Sequence, residues 1–425
     1  MKAPPQGGAD FFQTLSKGGC VVRKFIAVVL AISLVVFAFS AKRTLRVLMP
    51  IGGGYTIEDQ EAIAKEFEKD HPDVKIEMEF VGWEELWNKI ITSIGAGAAP
   101  DVMYIGSRWI PALADMGAII PLDEYITPEK KAMYYKTVWD TVTYKGHIWG
   151  VVRAMSTKVF IYNKDLFKKY NVKVPTNWDE LLEAAKKIHH PEEGIYGIAM
   201  CGKKFVSTVT QFQQYLYANG GRIVDENGRV VINDPKAVRA LEFYKELSKY
   251  AQPGIIEWKR EDLIKLFETG KVGMYIDHVH NARRAMEKGV NVGFFLIPGG
   301  PDSDKPYSTV IVTDSIAISS QSKNKDLAIE FMNYMTSFEK QKEWDLKLGF
   351  VPPMIKEKDL PELQKWYWKP YIEAIKYGYP EAVGIKDWEG VQEAILDAIH
   401  AVLLGYADAK TALDQAARII EILQK

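Results

Sequence analysis

The residues with the most chemical promise stand in DHVH, Asp277 to His280. Were the segment extended, His278 and His280 would share one face and Asp277 would take the other. Two imidazoles begin a zinc site, but zinc needs three or four ligands. No second cluster of histidine or cysteine stands out in the sequence, so no metal is expected and the motif stays open between ligand contact and plain structural use. Gly52-Gly53-Gly54 precedes a helix start and could cradle an anion on backbone N–H groups. It lacks the spacings of phosphate- and dinucleotide-binding loops. A tight strand-to-helix turn and a polar ligand contact are the readings left, and no cofactor is expected. Glycoside hydrolysis needs two carboxylates across a cleft, but among 55 acidic residues a pair can be picked anywhere. Neither G-x-S-x-G nor H-E-x-x-H occurs. Nothing argues positively for catalysis, so no catalytic residue is assigned and the chain is not expected to be an enzyme.

Aromatic residues carry a richer signal, at 12% of the chain with 11 Trp and 21 Tyr. Trp109 in SRWIP, Trp388 in KDWEG, and Trp366 and Trp368 in QKWYWKPY have polar, loop-like neighbours. Rings with polar tips suit ligands that combine apolar C–H faces with hydroxyls, and carbohydrate is the obvious class. Core packing is the competing use of each ring. A formal net charge of -1 gives no electrostatic case for nucleic acid.

The elements that must position these residues follow a regular order. TLRVLM (44–49) is a short apolar strand, and Thr56 with Asp59 is spaced as a capping box for a helix carrying Ile63 and Phe67. DVKIEMEF alternates Val74, Ile76, Met78 and Phe80, the period of a strand. A helix from about Glu84 carries Leu86, Ile90 and Ile94, and PDVMYIG (100–106) is a buried strand. This alternation predicts a parallel α/β sheet with ligand-facing loops at the carboxyl ends of its strands. After residue 150, amphipathic helices over 177–189 and 235–250 alternate with strands over 272–276, 292–297 and 315–319. The chain is helical again from about 388. Asn163 and Thr176 read as helix N-caps, Thr176 pairing with Asp179, and His189-His190 closes a helix where imidazolium suits the dipole. At 425 residues there is room for two domains.

FIAVVLAISLVVFAFSA (25–41) is an uncharged run of seventeen after Arg23 and Lys24, ending in small residues. Basic n-region, h-region and A-x-S/A site predict a secretory signal peptide over 21–41. A retained membrane anchor is the alternative, at the short end of a span. Lys17-Gly18-Gly19 followed by Val21-Val22 is compatible with a purine-rich ribosome-binding site before a GTG start. Residues 1–20 are then expected to be an upstream extension outside the true gene product. Cys20 precedes the h-region and no cysteine follows it closely, so no lipid anchor is expected. Only Cys201 remains in the mature chain, which excludes an internal disulfide despite export to the periplasm or beyond.

Ordered motifs run along nearly all of the mature chain: AIAKEFEKDHPDVKIE, AGAAPDVMYIG, LADMGAIIPLDEYI, YKGHIWGV, YNKDLFKKYNVKVPTNWDELLEAAKKI, YANGGRIVDENG, LFETGKVGMYI, IPGGP, SIAISSQSKNKDLAIEFMNYMTSFEKQ and LGFVPP. In that order they resemble the extracellular solute-binding proteins of sugar ABC importers, the maltose-binding-protein-like group (family 1). The resemblance implies an α/β, two-lobed periplasmic-binding-protein fold (type II, Venus-flytrap) with discontinuous lobes joined by hinge strands. Crossings are expected near 150–156, 297–303 and 346–354. The lobes then comprise 42–152 plus 300–348 and 153–297 plus 352–425.

Ligand contacts implied by the resemblance are Tyr55 and Gly54 after the first strand, and Ser107, Arg108 and Trp109 after PDVMYIG. Arg153, Met155 and Ser156 precede YNKD; Asp277, His278 and His280 follow VGMYI; Thr313 and Asp314 lie in the inter-lobe strand region. Trp388 matches a sugar-stacking aromatic, and Lys204 and Thr208 are weaker matches. Ser156 stands where maltose binders use a carboxylate, and DHVHN where the family often has a Trp. Both departures favour a mono- or disaccharide or a polyol over a long oligosaccharide. The implied partners are a carbohydrate ligand and ABC permease subunits, with the protein a monomer. A different solute, such as a sugar phosphate or polyamine, and a secreted carbohydrate-active enzyme are the alternatives.

Overall fold

The computed structural model describes Met1, Lys42–Ile51, Thr56–Ala382 and Gly384–Lys425. The expected signal peptide, Cys20 and the Gly52–Tyr55 turn lie outside the described residues. Strand β1 (Arg43–Ile51), helix α1 (Ile57–Asp70), strand β2 (Val74–Gly82), helix α2 (Trp83–Gly95) and strand β3 (Val102–Gly106) follow the expected order. β1 lies parallel to both β2 and β3. β3 is buried at every position, as a strand covered on both faces must be. Thr56 caps α1, its Oγ accepting from Asp59 N–H at 3.2 Å. The reciprocal half of the capping box is absent because the Asp59 carboxylate pairs with Lys347 instead.

Strand β4 (Val151–Ser156) belongs to this first sheet, and β5 (Val159–Asn163) to a second. Helix α3 (Trp178–Ile188) follows, then strand β6 (Tyr196–Ile198) and helices α4 (Val206–Ala218), α5 (Pro235–Ser248) and α6 (Arg260–Glu268). Strand β7 (Val272–Asp277), helix α7 (Val279–Glu287) and strand β8 (Val292–Phe295) complete a four-stranded sheet of order β8-β5-β7-β6 among the described residues. The cap of α3 is one residue later than expected: Asn177, not Thr176, accepts from Glu180 N–H at 2.9 Å. Thr176 turns outward and donates from both N and Oγ to the Glu180 carboxylate. His189 is the C-cap of α3, but burial holds its pKa below the ordinary value, so it does not supply the expected imidazolium.

Strand β9 (Tyr307–Ile318) departs most from the sequence reading, which found only its end. Its first half pairs with Ile297–Pro298 and Gly378–Pro380, its second half with β4 and β3. Thr309, Thr313 and Asp314 interrupt its apolar pattern, and neighbours on both edges keep the chain extended through them. Helix α8 (Lys325–Met335) packs on β9 and α1, and is followed by α9 (Phe338–Leu348). Helices α10 (Trp388–Leu403) and α11 (Ala409–Leu423) pack on each other and on α5. No helix among the described residues is long and apolar enough to cross a membrane.

A buried polar knot lies where the chain leaves α9. Arg153 on β4 is fully buried, stacks 4.3 Å over Trp344, and donates to Met335 O at 2.6 Å and Lys340 O at 3.2 Å. Gln341 Nε2 links the Arg153 carbonyl to Asp345 Oδ2, each at 2.9 Å. Asp345 and Glu357 face one another at 0% exposure. Burial, with mutual repulsion added at Asp345, keeps protons on this pair well above the usual carboxylate range. A carboxyl whose pKa is raised by folding stabilises the fold below its unfolded pKa and loses that contribution as pH rises through the folded value. Urea melts should therefore show stability falling between about pH 5 and about pH 8. Glu357→Gln, a neutral isostere, should flatten that fall and be the more stable protein at the higher pH. Parallel pH profiles for the two proteins would refute the assignment.

Candidate functional site

The turn after β3 brings three expected residues together. Ser107, Arg108 and Trp109 are all buried. Ser107 Oγ lies 2.6 Å from Ser315 Oγ on β9. The Arg108 guanidinium folds back over Gly106, where a Cβ would lie only 3.0 Å from Nη1. It sits over the rings of Trp83 and Trp109, 5.6 and 5.0 Å from their centroids, and these two rings stack at 5.8 Å. Planar, weakly hydrated guanidinium suits such a slot better than an ammonium would.

Both side chains then reach groups far along the chain. Arg108 Nη1 is 3.4 Å from Glu381 Oε2, and Trp109 Nε1 donates to Glu389 Oε1 at 2.9 Å. Glu381 is held by one face of α4, whose Thr210, Gln213 and Tyr217 stand at helical spacing. Thr210 donates to Glu381 Oε1 at 3.1 Å, while Gln213 Nε2 and Tyr217 OH donate to its backbone carbonyl at 2.7 and 3.0 Å. α4 is buried from Thr208 to Ala218, so its polar side chains need such partners. A shallow recess with a volume of about 20 Å³ opens beside the ion pair, bordered by Ser107, Arg108, Thr141, Tyr144, Thr313 and Glu381.

A second cluster, outside that recess, surrounds the end of β7. Asp277 is fully buried and accepts from His278 N–H at 2.8 Å and from Asn281 Nδ2 at 2.9 Å. Burial raises its pKa, and Arg260 and Lys158 offset part of that rise. His278 is the N-cap of α7, so the extended geometry in which His278 and His280 share a face does not form. Burial, then Lys158 and Arg260, hold His278 well below the ordinary imidazole pKa. Its neutral ring can accept from Arg260 Nη1, 2.8 Å from Nε2. Arg260 also donates to Glu261 at 3.1 Å. Burial opposes its charge, but Asp277 and Glu261 outweigh burial and its pKa is raised. Lys158 lies on the β4–β5 crossing and is 6% exposed. Burial and then Arg260 lower its pKa to about 8, against the pull of Glu381 and Asp277. Lys158 thus lies within electrostatic reach of both Glu381 and the β7 cluster.

Other expected residues have different places. Arg153 is spent on the carbonyls and ring of the buried knot, and Met155 is in the core with its carbonyl accepting from Val351 N–H at 3.0 Å. Neither is available to the cleft, because β4 turns these side chains toward the packed side. Trp388 is 1% exposed in the core, so it offers no ring face for stacking, and its neighbour Glu389 makes the contact to Trp109. Ser156 is half-buried opposite Val312, and Thr313 and Asp314 lie on β9, Asp314 accepting from Tyr104 at 3.4 Å. His280 packs against Gly349 at the end of α9. Lys204 pairs with Asp397 on the surface, and Thr208 bonds to the Lys203 carbonyl. Tyr55 is outside the described residues. Sequence reasoning missed Glu381, Glu389, Lys158, Arg260 and Trp83. Lys158 was signalled only by lying two residues past Ser156, and the others by nothing local.

The profile of the bacterial extracellular solute-binding proteins matches residues 53–342. A protein of Brucella abortus (strain 2308) that carries a binding-protein name is 31% identical over 378 residues, 86% of this chain and 90% of that protein. The maltotriose-binding protein of Pyrococcus abyssi is 26% identical over 353 residues, 79% of this chain and 73% of its own length. Among solved structures, an ABC transporter solute-binding protein of Thermotoga lettingae bound to alpha-D-tagatose superposes with a TM-score of 0.80 at 25% identity, over 90% of this chain and 100% of that one. Two lobes, strands that pass between them, and polar side chains meeting across the gap are what that match predicts. The chain belongs to the bacterial extracellular solute-binding proteins.

Proposed function

We propose that this protein captures a mono- or disaccharide or a polyol between its lobes and delivers it to an ABC permease, making and breaking no bond. The observation that carries the reading is the pair of contacts joining the lobes beside the recess, Arg108 with Glu381 and Trp109 with Glu389. Lys259 with Glu84, at 3.3 Å, joins the lobes again nearer solvent, where an ion pair contributes little. The sugars bound by the Pyrococcus and Thermotoga relatives support the ligand class.

The lobes divide at 42–152 plus 300–348 and 153–297 plus 352–425, with β4–β5 and β9 among the hinges. A ligand drives closure only through its extra affinity for the closed state. The permease reads the closed shape. Ser107, Arg108, Trp109, Asp277, His278 and Thr313 are the contacts that this reading retains most directly. Export through a cleaved signal peptide places the protein, as a monomer, in the periplasm or outside the cell.

Titration of the mature protein with a panel of sugars and polyols should give saturable heat and a change in tryptophan fluorescence, with the ligand recovered intact. The stacked Trp83 and Trp109, which flank Arg108, are the reporters. Silence across the panel would sink the proposal, and so would turnover of the ligand. Glu389→Ala removes the acceptor for Trp109 Nε1, a loss of about 1.4 kcal/mol, and should weaken binding about tenfold by calorimetry. Unchanged affinity would show that this contact takes no part in closure.

A further inference from the structure

We infer that the buried Asp345–Glu357 pair is a proton-operated clasp on the crossing at 346–354. The clasp is tight while the two carboxyls share a proton and loosens when that proton leaves, so pH sets how freely the crossing bends. The inference rests on the reading that this segment passes between the lobes, and it adds a control on their motion that sugar capture does not require.

The two carboxyls stand at the ends of the crossing. Asp345 lies in the last turn of α9, and Glu357 in the short 3-10 helix Ile355–Asp359. Both are 0% exposed. Gly349 and Phe350 N–H donate to the Asp345 carbonyl at 2.8 and 3.1 Å, which ends α9. Beyond that point the segment is tied down by backbone contacts. Val351 N–H donates to Met155 O on β4 at 3.0 Å, Pro353 O accepts from Tyr135 N–H at 3.3 Å, and Met354 makes a β-bridge with Tyr134. The carboxyl pair closes the loop that carries these ties, so its state decides whether the loop stays seated.

The pair is short of donors. Gln341 Nε2 serves Asp345 Oδ2 at 2.9 Å, but Asp345 Oδ1 and both Glu357 oxygens are buried without a bonded donor. Ionised carboxylates only accept, so two of them face to face in a dry site have nothing to exchange. One proton turns one of them into a donor, and the contact becomes a charge-assisted hydrogen bond. When that proton passes to water, the bond is replaced by repulsion between two carboxylates. The charged and titratable groups facing the pair are Arg153 from β4, Lys342 from α9, and Tyr134 and Tyr135 after the 128–133 helix. Burial outweighs the two cations, so the proton is kept above the ordinary carboxylate range and is lost as pH rises through the raised value. A pKa one unit higher in the seated arrangement than in the loosened one changes their ratio about tenfold across the titration.

The test is single-molecule FRET on the mature full chain without ligand, with dyes on Lys69→Cys of α1 and Lys187→Cys of α3, one in each lobe. Both positions are exposed, and the native Cys201 is buried away from the dyes. From pH 6 to pH 8 the mean transfer efficiency should fall. Hydrogen exchange over 349–357, corrected for its intrinsic pH dependence, should become about tenfold faster. Both changes should be absent in Glu357→Gln and in Asp345→Asn, whose amides supply a donor that cannot be titrated, with thermal melts confirming the fold of each. Either readout unchanged with pH in the wild-type protein, or a pH response that survives in both variants, would overturn the inference. The sugar panel added at pH 6 keeps the two readings apart. A pH response without a sugar response leaves the clasp standing and sinks sugar capture, and a sugar response without a pH response does the reverse.

Discussion

Strand β9 is one continuous twelve-residue strand with different neighbours along its length, and the relation between the lobes depends on it. A strand hydrogen-bonded on both edges cannot slip by one residue without turning every side chain to the opposite face. Ser315 therefore meets Ser107 behind the β3 turn, while Thr309 ties the crossing that carries Lys158. Ser107 and Lys158, just over fifty positions apart, are set in one frame because both bond to the same strand. The polar breaks in its pattern are the points where it touches the crossing and the recess.

Around that frame, buried polarity is placed in two ways. At the back of β4, Arg153 is used up by carbonyls and the Trp344 ring, and the Asp345–Glu357 pair is kept neutral enough to stay buried by retaining protons. Beside the recess, α4 presents Thr210, Gln213 and Tyr217 to Glu381, which offers its carboxylate to Arg108. The first arrangement is self-contained. The second joins segments far apart in the chain, so it exists only once those segments have packed together.

Much of the scaffold was legible locally. β1, β2 and β3 were clear because apolar alternation and short turns are properties of consecutive residues, and Asn163 because a cap needs only its own turn. The Asn177 cap was misplaced by one residue, since Thr and Asn are both good caps and only the path of the chain chose between them. β9 was half seen because two-edged pairing outweighed its polar residues. In the site, Ser107–Trp109 was legible from its place after a parallel strand. Arg153 and Trp388 misled because residue type suggests a ligand contact, whereas the direction of a side chain is set by the face of its strand or helix.

The sequence by itself determined the order of elements and the two-lobed α/β class through its ordered motifs. Those features depend on neighbours within a few residues or on motif order. Tertiary structure decided which charges meet. Glu381 reaches Arg108 across 273 positions and Glu389 reaches Trp109 across 280, separations over which no local pattern constrains the chain. It also decided that Arg108 is paired with Glu381. Burial and distance set the cost of a charge, and neither exists until the lobes have folded and come together.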